Sequence, residues 1–463
     1  MVIIMKGGTF ILKEKKRSNF SSKIGFVLAA AGSAVGLGNL WRFPYLAAKY
    51  GGGIFLLVYL ILAVTFGFSL MIGEVAIGRK TGLSAIEAFK KLNKKYAFIG
   101  YLASIVPIII LPYYSVIGGW VIKYFSAFIS GQASAAAKDQ YFESFISTSV
   151  DPIVYFGIFI LLTAVVVFLG VEKGIEKVSK LLMPLLVILT VGIAIYSITL
   201  EGALDGFIYY VKPDFNHFSI KTLIAAMGQL FYSMSLAMGI MITYGSYMKK
   251  DVKLENAVTQ IEIFDSAIAF FAGMMIVPAV FVFNGGDASA INAGPGLMFI
   301  TLPKVFDSMP FGTFIGALFF ILVLFAALTS AISLMETIVS IAQDKLHWGR
   351  KKATVIITLF SFVVALPSSL GFGIWSDINP LGMSFLDFFD FISNSILMPV
   401  VALLTCIFIG YIIKPKVISE EVKLNSGFKR EKLFVFMTKY IAPVIILIIL
   451  ISSILSAFGF ITI

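Results

Sequence analysis

The sequence predicts an all-α integral membrane protein of about eleven transmembrane helices, arranged as two inverted five-helix repeats followed by one more helix. Three observations carry that expectation. Of the 463 residues, 59% are hydrophobic and 13% charged, and the mean hydropathy is +0.97, which leaves too little polar surface for a soluble domain. Apolar runs long enough to cross a bilayer recur from end to end. Two of them, the first and the sixth, are interrupted by glycine and polar residues, which is the pattern of discontinuous helices at matching places in two repeats.

In order, the apolar runs fall in 24–48, 54–78, 98–128, 152–170, 181–199, 222–247, 257–283, 313–342, 353–370, 386–413 and 439–460. The first contains A-A-G-S-A-V-G-L-G-N-L-W-R-F-P, Ala30–Pro44. A helix broken at membrane depth leaves backbone N–H and C=O groups unpaired, and these survive only where protein or a polar cavity surrounds them. Glycines at this spacing also serve as a close helix-packing face. Asn39 and Arg42 beside them shift the reading toward a ligand site. The sixth run contains G-Q-L-F-Y-S-M-S-L-A-M-G, Gly228–Gly239.

Lysine and arginine collect after the even-numbered runs: Arg79 to Lys95, Lys173 to Lys180, Lys249 to Lys253, Lys345 to Lys352 and Lys414 to Lys432. By the positive-inside rule these loops are cytoplasmic, which places the N-terminus in the cytoplasm and the C-terminus outside a multi-pass cell-membrane protein. The expected units are an N-terminal cytoplasmic arm (1–22), a first five-helix repeat (23–200), an extracellular loop (201–220), a second repeat (221–413), and a cytoplasmic loop with the eleventh helix (414–463). The start of the chain has no apolar core long enough for a cleavable signal peptide.

Composition also excludes chemistry. One cysteine, Cys406, and two histidines, His217 and His347, rule out a disulfide framework and a His/Cys metal centre. The net charge of +11 sits in short stretches between apolar runs, so it sets topology and does not make a nucleic-acid surface. No nucleophile, base and orienting group occur together, and no enzyme is expected.

The first run, the Gly228–Gly239 segment and F-A-A-L-T-S-A-I-S-L-M-E (Phe325–Glu336) resemble the neurotransmitter:sodium symporter family over nearly the whole chain, in the shorter bacterial amino-acid form that ends after eleven helices. The resemblance implies a leucine-transporter-like fold and sodium-coupled import of a small neutral amino acid by alternating access. It implies two Na+ sites. One comprises the Ala34 carbonyl, the side chains of Asn39 and Ser233, and Asp265, completed by the substrate carboxylate. The other comprises the carbonyls of Gly32, Val35 and Ala326 with the hydroxyls of Thr329 and Ser330. Taken by themselves, those two hydroxyls also suit hydrogen bonds back to their own helix.

A carboxylate at the centre of an apolar helix costs about 2.5–3.5 kcal/mol, so Asp265 needs a partner unless it lies near the helix end in water. Relatives with a neutral residue there are chloride-dependent, so the resemblance implies chloride independence. Gly36 stands where amine transporters carry aspartate, which implies that the substrate brings its own carboxylate, held by the amides of Leu37 and Gly38 and the hydroxyl of Tyr114. On its residue type alone Tyr114 would equally be a packing aromatic.

The remaining pocket, by position, comprises Ile110, Tyr232, Ser235, Met238, Ser330, Ser333 and Leu334, with Ala237 filling space that glycine would leave open. Arg42, Gln229 and Asp390 resemble an outer gate, and Arg17 and Asp344 an inner one. Gly174 and Pro184 bracket a stretch of the fifth helix suited to local unwinding or to a kink. A substrate-binding sensor and an ion channel are the competing functions; the paired gate charges favour occlusion over a continuous pore.

Overall fold

The structure, a computed structural model, describes residues 2–6, 9–13, 19–285, 294–457 and 460. Among the described residues nine helices are long and apolar enough to cross a membrane: Gly53–Thr81, Lys94–Ile129, Asp151–Leu169, Val171–Ile198, Leu254–Phe283, Gly312–Lys345, Arg350–Leu370, Phe385–Ile412 and Glu431–Ala457. The bent pair Lys23–Ala34 and Gly38–Lys49, meeting at 53°, precedes them as the first span. Ile220–Ser233 and Ile240–Ser246 form the broken sixth. Among the described residues the result is an all-α membrane fold of eleven spans, with two runs of five that each open on a broken helix.

The helices outlast the apolar runs. The fifth begins at Val171 and the eleventh at Glu431, about three and about two turns before the hydrophobic stretches read from sequence, because a helix continues through charged residues once it leaves hydrocarbon. A short antiparallel hairpin, Val2–Lys6 paired with Thr9–Lys13, lies ahead of the first span. Hydropathy gives no sign of it.

The two breaks have different local causes. In the first span the helix ends at Ala34 and resumes at Gly38. A Cβ on Gly36 would stand 2.8 Å from Ser330 Oγ, and one on Gly38 would stand 2.6 Å from the Tyr232 ring, so both positions allow a closeness that a side chain would forbid. In the sixth span Ser235, Ala237 and Gly239 have φ of 52°, 61° and 73°. Alternating left-handed residues cannot continue a right-handed helix, and for the two non-glycines the conformation costs about 1–2 kcal/mol each. Hydrogen bonds offset part of that cost: Ala237 N–H donates to Glu74 Oε1 at 2.7 Å, and Ser235 Oγ donates to Ser33 O at 2.8 Å.

The broken spans are enclosed by their neighbours. The inner half of the first packs on the seventh and eighth, the two halves of the sixth lie along the second, and the third crosses the eighth. Gly78 and Gly245 let the second span and Ile240–Ser246 meet backbone to backbone. Large apolar side chains of the outer spans are exposed, among them Leu161, Ile188, Leu359 and Ile451, as a lipid-facing surface requires. The basic loops gather on one face: Arg79 pairs with Glu421 at 2.8 Å and donates to Val252 O, and Lys250 also reaches Glu421.

Candidate functional site

A cavity of about 40 Å³ lies between the two breaks. The first span lines it with Ser33, Ala34, Gly36, Leu37, Gly38 and Asn39, the third with Ile110 and Tyr114, the sixth with Tyr232, Ser233, Ser235, Met238 and Ile240, and the eighth with Ser330 and Leu334. Asn394 of the tenth span completes the wall. Its surface is mostly apolar, and its polar groups are few and specific. The Tyr114 hydroxyl, buried in the wall, faces Ser330 and the Leu37 backbone without closing a hydrogen bond to either.

Asp265, on the seventh span, is fully buried. The alternative of a solvated helix end therefore falls. Its Oδ1 accepts from Asn39 Nδ2 at 2.9 Å and from Ser233 Oγ at 2.7 Å, and its Oδ2 accepts from Tyr59 OH at 3.0 Å. Asn39 Oδ1 in turn accepts from Gly36 N–H at 3.2 Å. One carboxylate thus ties the break of the first span to the second, sixth and seventh spans.

A second oxygen-rich cluster joins the first and eighth spans. Ser330 Oγ donates to Ser33 O at 3.1 Å, with Gly32 O at 3.5 Å. Thr329 Oγ1 bonds back to Phe325 O at 3.0 Å and Ala326 O at 3.1 Å. A Cβ on Gly32 would stand 3.1 Å from Thr329 Cβ, so the helices touch there. Val35 closes the half-helix, its N–H donating to Ala31 O at 2.7 Å. The last carbonyls of that half-helix have no partner further along it.

Some residues grouped by sequence are not brought to the cavity. Ser333 lies outside the lining, accepting from Tyr244 OH at 2.8 Å and donating to Thr329 O at 3.0 Å, because it sits one helical turn below that residue. Ala237, expected to fill space in the pocket, also lies outside the lining. Arg42 stacks its guanidinium over the Tyr232 ring, 5.2 Å from the centroid, and makes no ion pair with Asp390 in this structure. Asp390 instead accepts from Tyr113 OH at 3.0 Å and Asn394 Nδ2 at 2.5 Å. Gln229 Nε2 donates to Gly38 O at 3.0 Å.

At the opposite end of the first span Arg17 lies outside the described residues, and Asp344 accepts from Ser84 N–H at 2.7 Å. Glu176, two residues after Gly174, accepts from Ser21 N–H at 2.7 Å and from the hydroxyls of Ser21 and Ser22, clasping the start of the first span to the fifth.

Sequence reasoning passed over Tyr59, Ser33, Ile240, Glu74 and Asn394. Ser33 and Asn394 did carry a signal. Each is a polar residue within one helical turn of a residue already singled out, Gly36 or Asp390, inside an otherwise apolar run.

Two discontinuous helices closing on a small cavity, with a buried carboxylate at its edge, define a secondary transporter and not an enzyme. The model of the sodium:neurotransmitter symporter family matches residues 17–151 and 146–459. An uncharacterized sodium-dependent transporter of Bacillus subtilis, YhdH, is 36% identical over 450 residues, covering 96% of this chain and 99% of that one. The sodium- and chloride-dependent glycine transporter 2 of Xenopus laevis is 25% identical, over 95% of this chain and 64% of its own length. The crystal structure of MhsT in complex with L-phenylalanine superposes with a TM-score of 0.85 at 38% identity, covering 95% of this chain and all of that one. The chain belongs to the sodium:neurotransmitter symporter family, and it is a multi-pass, sodium-coupled membrane symporter.

Proposed function

We infer that the protein imports a neutral L-amino acid with sodium, independently of chloride, by alternating access. The observation that carries the amino-acid reading is the unpartnered Tyr114 hydroxyl beside Gly36. A buried donor without an acceptor is costly, and a substrate carboxylate supplies one. The amides of Leu37 and Gly38, at the start of the outer half-helix, add favourable dipoles. Gly36 leaves no room for a protein carboxylate, so the negative charge at this place comes with the substrate.

The carbonyl end of the inner half-helix, near Ala34, suits the substrate ammonium and sodium alike. Asp265, Asn39, Ser233 and the Ala34 carbonyl make up the first sodium site. Gly32, Val35, Ala326, Thr329 and Ser330 make up the second, where rotation of the Thr329 hydroxyl away from its own helix would free an oxygen. The fixed charge of Asp265 removes the need for a bound anion. Two sodium ions entering a cell at 100 mV contribute about 4.6 kcal/mol, sufficient for a gradient of roughly a thousandfold or more.

The rest of the lining is mainly apolar, through Ile110, Met238, Ile240 and Leu334, its polar members Ser33, Ser235 and Asn394 carry no charge, and it excludes a charged side chain. The phenylalanine bound to MhsT supports a range that extends to aromatic side chains. Positive-inside placement of the basic face gives a cytoplasmic N-terminus. The test is sodium-driven uptake in proteoliposomes, with each amino acid as competitor and gluconate replacing chloride. Neutral amino acids should compete while lysine and glutamate do not; loss of uptake in gluconate would overturn chloride independence.

A further inference from the structure

We propose that Asn394 reads the substrate's side chain, its amide oxygen accepting a hydrogen bond from an O–H or N–H group that the side chain carries. The proposal rests on the amino-acid reading above and deepens it. Asn394 lies in a π-helical stretch of the tenth span, Phe391–Leu397, and lines the cavity. Such wider turns interrupt the regular ladder and re-aim side chains.

Its neighbours fix the orientation of the amide. Nδ2 donates to Asp390 Oδ1 at 2.5 Å and lies 3.1 Å from Tyr113 OH. A carboxylate accepts and does not donate, so the NH2 must face Asp390 and the carbonyl must face away. That oxygen, Oδ1, is buried and has no partner. The amide is therefore held at one end with its acceptor unused, on a residue that borders the cavity.

The zwitterion does not claim this acceptor. Its carboxylate is matched by Tyr114 and the amides at Gly38, and its ammonium by carbonyls at the end of Lys23–Ala34, all on the first and third spans. Asn394 is on the tenth. A side-chain donor is the remaining group of a neutral amino acid able to satisfy it, which favours threonine over valine and tyrosine over phenylalanine.

The experiment measures competition by the pairs threonine/valine and tyrosine/phenylalanine against L-phenylalanine uptake in proteoliposomes, for wild type and for Asn394→Leu. Leucine keeps the number and branching of the side-chain heavy atoms and removes the acceptor, and the bulk that its methyl groups add bears on both members of a pair. Losing the bond to Asp390 weakens both members of a pair, so it cancels in the ratio. The hydroxyl-bearing member should lose roughly two- to tenfold relative to its partner in the variant. Ratios that stay unchanged in Asn394→Leu, even with all affinities lowered, would overturn the role of Asn394 and leave the amino-acid reading intact. Absence of competition by any neutral amino acid in wild type would overturn that reading and this one with it. Should Asn394→Leu not fold, Asn394→Ala and the wild-type ratios decide: valine preferred over threonine by tenfold or more rejects an available acceptor.

Discussion

Ser33 and Ser235 hold each other twice: Ser235 Oγ donates to Ser33 O at 2.8 Å, and Ser33 Oγ donates to Ser235 Oγ at 3.1 Å. One lies at the end of a half-helix of the first span and the other within the interruption of the sixth, so the two breaks are bonded directly to each other. Substituting Ser235 by alanine should remove both bonds and leave the Ser33 carbonyl with Ser330 alone. We expect it to weaken substrate and sodium binding together, each several-fold, as read by scintillation proximity with labelled substrate. Loss of one without the other would show that the breaks act separately.

Asp265→Asn keeps the shape of the carboxylate and removes its charge. The half-saturating sodium concentration for uptake should rise by about tenfold or more, equivalent to 1.4 kcal/mol. An unchanged sodium curve would place Asp265 outside the ion site.

Tyr114→Phe deletes a hydroxyl that has no partner within the protein, so thermal stability without substrate should not fall. Substrate affinity should drop roughly 10- to 150-fold, the range for a hydrogen bond to a charged group. Equal affinity for variant and wild type would remove Tyr114 from the carboxylate site.

Ala237→Gly separates conformation from pocket size. With φ at 61°, Ala237 is strained where glycine is not, and the variant should be more stable by about 1 kcal/mol in detergent melts. Because Ala237 lies outside the cavity lining, the ranking of competing amino acids should stay as in wild type. A shift toward aromatic amino acids would restore it as a size filter.

The spans and both interruptions were legible because they rest on long apolar runs and on glycine or serine where hydrocarbon tolerates neither without a reason. The gathering of Leu37, Gly38, Tyr114, Tyr232, Met238 and Leu334 around one cavity followed from motif order. What sequence did not disclose is geometry that no residue type announces. Alanine does not advertise a left-handed backbone, and Arg42 and Asp390 read as a pair whether or not they touch. Tyr59, about two turns into an apolar helix, looks like packing until its hydroxyl meets Asp265. Ser333 shares a motif with Ser330, but three residues along a helix are enough to turn it toward Tyr244.

The strip from Gly32 to Asn39 supplies groups to the Asp265 cluster, to the Ser330 cluster and to the cavity wall at once. Its residues cannot be altered for one ligand without disturbing the other two, and Gly36 and Gly38 have no space for any side chain. With Gly36 fixing the need for a carboxylate on the cargo, preference among amino-acid side chains must then be written elsewhere, on the third, sixth, eighth and tenth helices. An engineer seeking a new cargo should leave Gly32 to Asn39 alone and draw the library from Ile110, Met238, Leu334 and Asn394.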